Sequence, residues 1–193
     1  FAFANAAMHR QRVHSIAAAT RRRRPRLSLQ RALREADVPD NRSWRPFQLA
    51  FLLLNLPSLA DPAHPERSDR HSSVADLLWF PTGGGKTEAY LGLTAFTLAI
   101  RRLRPQVGGY DAGRGVAVLM RYTLRLLTIQ QFQRAAALIC ACERLRRDDP
   151  ATWGSEPFRL GLWVGGRVPP NRPHKAEEWV KDQRRNRGRR SRQ

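Results

Sequence analysis

From Leu77 onward, short apolar runs alternate with longer stretches of helical spacing. Leu77–Phe80 is one such run and Val116–Met120 is a second. Phe158, Leu160, Leu162 and Val164 alternate with other residues and end at Gly165-Gly166. Each has the length and composition of a strand. Between them, Glu88–Leu103 has the composition of a mostly buried helix. Leu124–Arg147 has the spacing of a long helix, with Leu126, Ile129, Ala136, Ile139 and Leu145 among its apolar positions. Gly108–Gly115 holds four glycines and reads as a loop. The order β-α-β-α-β predicts an α/β fold with a parallel sheet, right-handed crossovers and a ligand at the strands' C-terminal ends.

Upstream, Phe1–Ala19 is helix-compatible and is ended by Arg21–Arg24 and Pro25. Leu27–Ala36 predicts a short helix with exposed arginines, and Pro39–Ser43 a linker. Leu49–Leu56 is strongly apolar and predicts a helix stopped by Pro57. Ala60–Ser73, with Pro62 and Pro65, reads as a surface loop. Arg184–Arg192 holds six arginines and no apolar residue, which predicts disorder apart from one helical turn at Ala176–Val180. The expected organisation is a helical segment at 1–43, an α/β unit at 44–170 and a basic tail at 171–193.

Pro81-Thr82-Gly83-Gly84-Gly85 breaks the first apolar run with a flexible turn, and Lys86-Thr87 closes it ahead of a helix. Strand, Gly-rich turn, Lys-Thr and helix is the layout of a phosphate-binding loop. Glycines let backbone N–H groups converge on phosphate oxygens with no Cβ in the way. The helix N-terminus adds its partial positive charge. Lys86 is the candidate for neutralising the β- and γ-phosphates, and the Thr87 hydroxyl for ligating Mg²⁺. The expected cofactors are ATP and Mg²⁺. Pro81, Thr82, Gly83, Gly84, Gly85, Lys86, Thr87 and Glu88 form the candidate site. The pattern asks for Gly, or Ala, where Phe80 stands.

The formal charge of +19 adds a second theme. Of the 35 basic residues only Lys86, Lys175 and Lys181 are lysines. Such an arginine excess suits a polyanion such as DNA or RNA, and it equally fits a coding bias toward Arg with no selected contact. Cys140 and Cys142, the only cysteines, stand two residues apart on a predicted helix. They face different ways, cannot form a metal site alone, and are expected as free thiols in a reducing cytoplasm. The longest apolar run, Phe47–Leu56, is too short to span a bilayer. A start at Phe1 rather than Met suggests a fragment.

Several stretches together resemble the first RecA-like domain of a superfamily 2 helicase. Phe80-Pro81-Thr82-Gly83-Gly84-Gly85-Lys86-Thr87 resembles that family's motif I. Arg45-Pro46-Phe47-Gln48 resembles the segment whose Gln reads the adenine edge, a task a carboxamide can perform because it both donates and accepts. Val118–Leu126 resembles motif Ia, where a strand end and a following helix touch the nucleic-acid backbone. On that likeness Arg121, Thr123 and Arg125 contact phosphates, and Gln130 lies slightly off the usual spacing. Leu162–Gly166 resembles the strand and Gly turn before a further strand-contacting motif. The wording FAFANAAMHRQR, RPFQLAFLLLNLPSLADP, DLLWFPTGGGKTEAYLGLTAF and VAVLMRYTLRLLTIQQFQRA is similar to the helicase component of the DISARM anti-phage system. The resemblance implies an incomplete RecA-like domain of a bacterial, cytoplasmic, ATP-driven DNA helicase or translocase with a partner protein.

One departure limits what the resemblance implies. Such helicases use an Asp-Glu pair at a strand end to hold Mg²⁺ and activate water. Here Asp148-Asp149 ends a predicted helix and Glu177-Glu178 lies in the polar tail. The chain alone is therefore expected to lack turnover. Two other readings stand beside the helicase: a non-catalytic basic nucleic-acid binder, and a phosphate-loop NTPase outside the helicases.

Overall fold

Alanine-rich helix faces, not strands, build the core. The computed structural model describes residues 1–81, 83–122, 125–163 and 173–190. Helix α1 spans Ala2–Arg23, where seven alanines favour the helix and lose no side-chain entropy. Its buried face is Phe3, Ala4, Ala7, Met8, Gln11, Val13 and Ala17. Pro25 disfavours helical backbone at the residue before it, and Arg24 leaves the helix at φ −129° and ψ 73°. Helix α2, Leu29–Ala36, is capped by Ser28, whose Oγ accepts from the Arg31 N–H at 3.3 Å. A 3₁₀ turn at Pro39–Asn41 leads to α3, Pro46–Ala60. Helix α4 is a single turn at Pro65–Ser68.

Helix α5, Lys86–Leu103, packs against α1, α3 and α6. Strands β1, Gln106–Val107, and β2, Tyr110–Asp111, follow. The long α6, Arg125–Asp148, lies along α1. Asp149 caps α7, Pro150–Trp153, by accepting from the Thr152 N–H at 3.2 Å. Helix α8 spans Pro173–Arg190, within the tail expected to be disordered.

The main core joins Phe3, Ala7 and Met8 of α1 to Leu91, Ala95, Phe96 and Ala99 of α5. Ala135, Leu138 and Cys142 of α6 complete it, with Phe158 beneath. Small side chains let the three helices approach closely and leave the larger ones to fill the gaps. Gly92 serves the same end on the other side of α5. A Cβ there would lie 2.8 Å from Trp44 Cη2 and 3.0 Å from Leu52 Cδ2. A satellite cluster of Val13, Ala17, Leu27, Ala32 and Ala36 holds α1 to α2.

The expected α/β fold, an incomplete RecA-like domain with a parallel sheet, is not formed among the described residues. Among the described residues the only strands are β1 and β2, an antiparallel pair with Gln106 opposite Asp111 and Val107 opposite Tyr110. They flank Gly108 and Gly109 at φ +57° and +80°, the backbone a two-residue hairpin turn of this hand requires. Neither Leu77–Phe80, Val116–Met120 nor the described part of the third run pairs with another strand. Much of each run faces out, with Leu77 and Trp79 each 86% exposed, Leu119 86% and Trp163 97%, while Phe158 and Met120 turn to the core. A parallel strand exists only where neighbouring backbone completes its ladder and helices cover both faces. Here the helices bury their apolar stripes against one another. Val164, Gly165 and Gly166 lie outside the described residues.

One boundary and one side chain also differ from expectation. Helix α3 runs through Pro57 to Ala60 instead of stopping before it. An internal proline forfeits one backbone bond and costs about 3 kcal/mol. Leu56, Leu59 and Ala60 pack against the main core and offset that cost. Ile129, expected among the apolar positions of α6, is 45% exposed.

Candidate nucleotide-phosphate site

The Gly-rich turn ends directly in the first residue of α5. Gly85 is the N-cap, at φ +97°, and Lys86 is the first helical residue. Gly83 has φ +81°, and a Cβ added there would meet nothing within 4 Å. The Gly84 N–H donates to Pro81 O at 3.1 Å and tightens the turn. Open space before Gly83 and the orphan N–H groups of an 18-residue helix together suit an anion. Thr82 lies outside the described residues. Pro81 is exposed and Thr87 half-buried in the first turn of α5.

Lys86 folds back over the turn. Its Nζ donates to Phe80 O and, at 3.2 Å, to Pro81 O. These carbonyl oxygens satisfy the ammonium as phosphate oxygens would, so the loop holds its own cation at its mouth. The residues present fit a triphosphate: room over the glycines, a helix N-terminus, and a lysine whose present acceptors are neutral.

The first turn of α3 holds the loop from behind. Gln48 is 5% exposed. Its Oε1 accepts from the Arg45 N–H at 2.9 Å, and its Nε2 donates to Gly85 O at 2.8 Å. The carboxamide assigned to adenine by resemblance is thus bonded at both ends to backbone. Arg45 Nη1 donates to Gly84 O at 2.7 Å. The Phe47 and Phe80 rings stack at 3.8 Å between centroids and 17° between planes. Phe80, the residue standing where the motif has Gly, therefore anchors the N-terminal end of the turn to α3. Three successive contacts from Arg45, Phe47 and Gln48 fix one loop.

Glu88 lies beside the same turn, where its Oε2 would be 3.4 Å from a Cβ added at Gly85. Its Oε1 pairs with Arg134 Nη2, tying the first turn of α5 to α6. Tyr122 sits beside this pair. Burial pushes its phenol above the ordinary value, with Arg134 opposing and Tyr90 adding to the shift. Tyr122 Oη contacts Met120 Sδ at 3.8 Å. The 120–122 stretch therefore lies near the α5–α6 contact that also holds Glu88. Arg121 is exposed there. Thr123 and the Arg125 side chain lie outside the described residues. Gln130 is exposed, whereas its neighbour Gln131 buries its Oε1.

Arg134, the pairing of Phe47 with Phe80 and the bond from Arg45 to the glycine turn are features of the tertiary structure absent from the sequence expectations. Pro46 at the first helical position, with Gln48 two residues on able to accept from the Arg45 N–H, is a helix-start signal that could have marked the first turn of α3. No local signal marks Arg134, because its partner lies 46 residues away. Cys140 is exposed and Cys142 buried. Among the described residues no helix is long and apolar enough to cross a membrane.

No protein-family model matches the chain. A search of curated proteins finds 51% identity over 134 residues with the "DISARM protein DrmA" of Bacillus paralicheniformis. The matched stretch is 69% of this chain and 11% of that relative, so the chain spans about a tenth of the length of the curated protein it matches. At that identity the chain is similar, through most of its length, to part of a DISARM protein.

Proposed function

We propose that this chain binds the triphosphate of ATP, with Mg²⁺, at the turn Gly83–Gly85 and the first turn of α5. In this reading it belongs to an ATP-driven DNA helicase or translocase that acts in anti-phage defence with a partner protein. The observation that carries it is the seating of Lys86 at the N-terminus of α5, behind a glycine turn bonded to Arg45 and Gln48. The likeness to a DISARM protein supports the defence setting.

The residues divide the work as follows. The turn and helix N-terminus supply N–H donors to phosphate oxygens. Lys86 exchanges its bonds to Phe80 O and Pro81 O for bonds to the β- and γ-phosphates. Thr87 is the hydroxyl available to the metal. When bound, Mg²⁺ neutralises charge on the triphosphate. Arg121, Thr123, Arg125 and Gln130 are proposed to contact the nucleic-acid backbone. Glu88 is engaged by Arg134, so the chain binds nucleotide without supplying a free carboxylate from this turn to activate water. Hydrolysis then depends on groups beyond those described.

The test is binding of a fluorescent ATP analogue with Mg²⁺ to the wild type and to Lys86→Ala. Loss of the cation that faces the triphosphate is expected to weaken binding at least about tenfold, since charged hydrogen bonds contribute about 1.5–3 kcal/mol. Equal affinities would remove the reading.

A second reading is favoured by the charge of +19 and the engaged Glu88: a basic nucleic-acid binder without catalysis. It requires DNA affinity that falls steeply with salt and does not respond to ATP. A nucleotide-dependent change in DNA affinity supports the first reading against it.

A further inference from the structure

The corner between α1 and α2 is strongly basic. Thr20–Ala36 holds seven arginines and one acid, Glu35. Arg24 and Arg31 share that acid at 2.9 and 3.0 Å. Arg21 turns inward and donates to Leu27 O at 3.1 Å. Arg22, Arg23, Arg26 and Arg34 are exposed and pair with no carboxylate among the described residues. Arginines in a last helical turn favourably oppose the helix dipole. That accounts for the cations ending α1 and for Arg34 in the last turn of α2, but not for Arg26 between the two helices. Arg24, Pro25, Arg26 and Leu27 line a shallow, open depression at the corner.

We propose that this corner is a docking surface for the phosphate backbone of a nucleic acid. It is separate from the Gly83–Lys86 turn and from Arg121. Guanidinium groups bond phosphate oxygens in pairs and hold their charge at every accessible pH. The backbone geometry positions them. Pro25 ends α1, Ser28 starts α2, and the two helices close over Ala17, Leu27, Ala32 and Ala36. The arginines thus stand on a fixed corner. An anionic membrane is the other surface that attracts cations. A helix that lies on a membrane presents a broad apolar face with aromatic anchors below its cations. Here Leu27, Ala32 and Ala36 are buried in the α1–α2 contact, and Arg21–Ala36 contains no aromatic residue. A polyphosphate backbone matches charge without apolar insertion.

The experiment measures affinity of the full chain for a labelled DNA duplex across a salt series. Each neutralised phosphate contributes roughly 0.9 to the slope of log K against log salt, so R22Q/R23Q/R26Q is expected to reduce the slope by about 2 to 3. R22K/R23K/R26K keeps charge and most of the slope. Binding of the fluorescent ATP analogue stays at the wild-type level in both. Should the triple glutamine variant fail to fold, Arg26→Gln alone, in the loop, reduces the slope by about 1 on the same relation. An unchanged slope in the folded glutamine variants overturns the proposal, as does a wild type that does not bind the duplex. Binding to phosphatidylserine vesicles in place of duplex overturns it in favour of a membrane surface. Arg121→Gln, measured alongside, separates the sites. If only that variant changes the slope, the corner fails while the nucleic-acid role proposed for Arg121 stands.

Discussion

The Gln48 carboxamide donates to the carbonyl of Gly85 at 2.8 Å, joining the first turn of α3 to the last residue of the glycine turn across 37 positions of sequence. The same side chain accepts from the Arg45 N–H, so its orientation is set at both ends. Gln48→Glu keeps the acceptor and replaces the donor with an oxygen that faces a carbonyl. A buried hydrogen bond of this kind contributes about 1 kcal/mol and leaving its acceptor unmet costs about 1–3 kcal/mol. Affinity for ATP and GTP analogues is expected to fall together, by roughly fivefold or more on those energies. A fall confined to ATP would instead mean that Gln48 reads adenine directly.

Gly85→Ala is expected to be the more severe of two glycine substitutions in the turn. At φ +97° any Cβ is strained, and here it would lie 2.6 Å from Gln48 Nε2. Left-handed backbone costs a non-glycine residue about 1–3 kcal/mol, and the collision adds to that. Gly83→Ala meets the strain alone, because nothing lies within 4 Å of its Cβ. Urea unfolding of the two variants should show a lower midpoint for Gly85→Ala. Equal midpoints would mean that Gln48 moves aside freely.

Phe80→Gly restores the glycine of the phosphate-loop pattern and removes the ring stacked on Phe47. The aromatic pair contributes about 0.5–1.5 kcal/mol beyond its buried area. The expected result is a lower melting temperature and faster proteolysis near the turn. Addition of a nucleotide analogue is expected to restore part of the protection. Unaltered proteolysis would show that the Arg45 and Gln48 bonds suffice to hold the loop.

Glu143 and Arg146 form the least exposed ion pair described, with side chains 15% and 10% exposed. Arg146 also donates to Gly154 O at 3.0 Å and Ser155 O at 3.1 Å, and Glu143 accepts from the Phe158 N–H. Burial opposes the charge on Glu143, but the bonds from Arg146 and Phe158 outweigh it and hold the carboxyl below its ordinary value of 4.5. A depressed carboxylate stabilises the fold above its unfolded value, and that stability is lost as pH falls through the folded value. Glu143→Gln is expected to lower stability at neutral pH by about 1–3 kcal/mol, since Arg146 loses its partner. The variant should also lose part of the wild type's decline in melting temperature below about pH 4.5. A parallel decline in both proteins would place the acid sensitivity elsewhere.

Cys142 and Cys140 should differ sharply toward alkylating agents. Burial first, and then the charge of Glu143, pushes the Cys142 thiol up to about 12. Cys140 is exposed. Because the thiolate is the reacting species, native protein at pH 8 is expected to take up one equivalent, at Cys140, and a second only on unfolding. Prompt modification of both would mean that the α1–α5–α6 core opens readily.

Local chemistry was enough to read much of this protein. The alanine spacing of α1, the break at Pro25, the hydrophobic stretch of α5 and the Gly-Lys-Thr junction are governed by neighbours within a turn or two. Their elements fall close to the expected positions. Tertiary structure decided the rest. Leu77–Phe80 and Val116–Met120 have strand composition, yet a strand is a relation between two backbones. The packing of α1, α3, α5 and α6 brings no second backbone to either run. Pro57 stays inside α3 because Leu56, Leu59 and Ala60 find the core beyond it. Gln48, Phe80 and Arg134 take their roles from partners 37, 33 and 46 residues away. Such contacts depend on how whole helices meet, a matter of summed burial that no short window of residues contains.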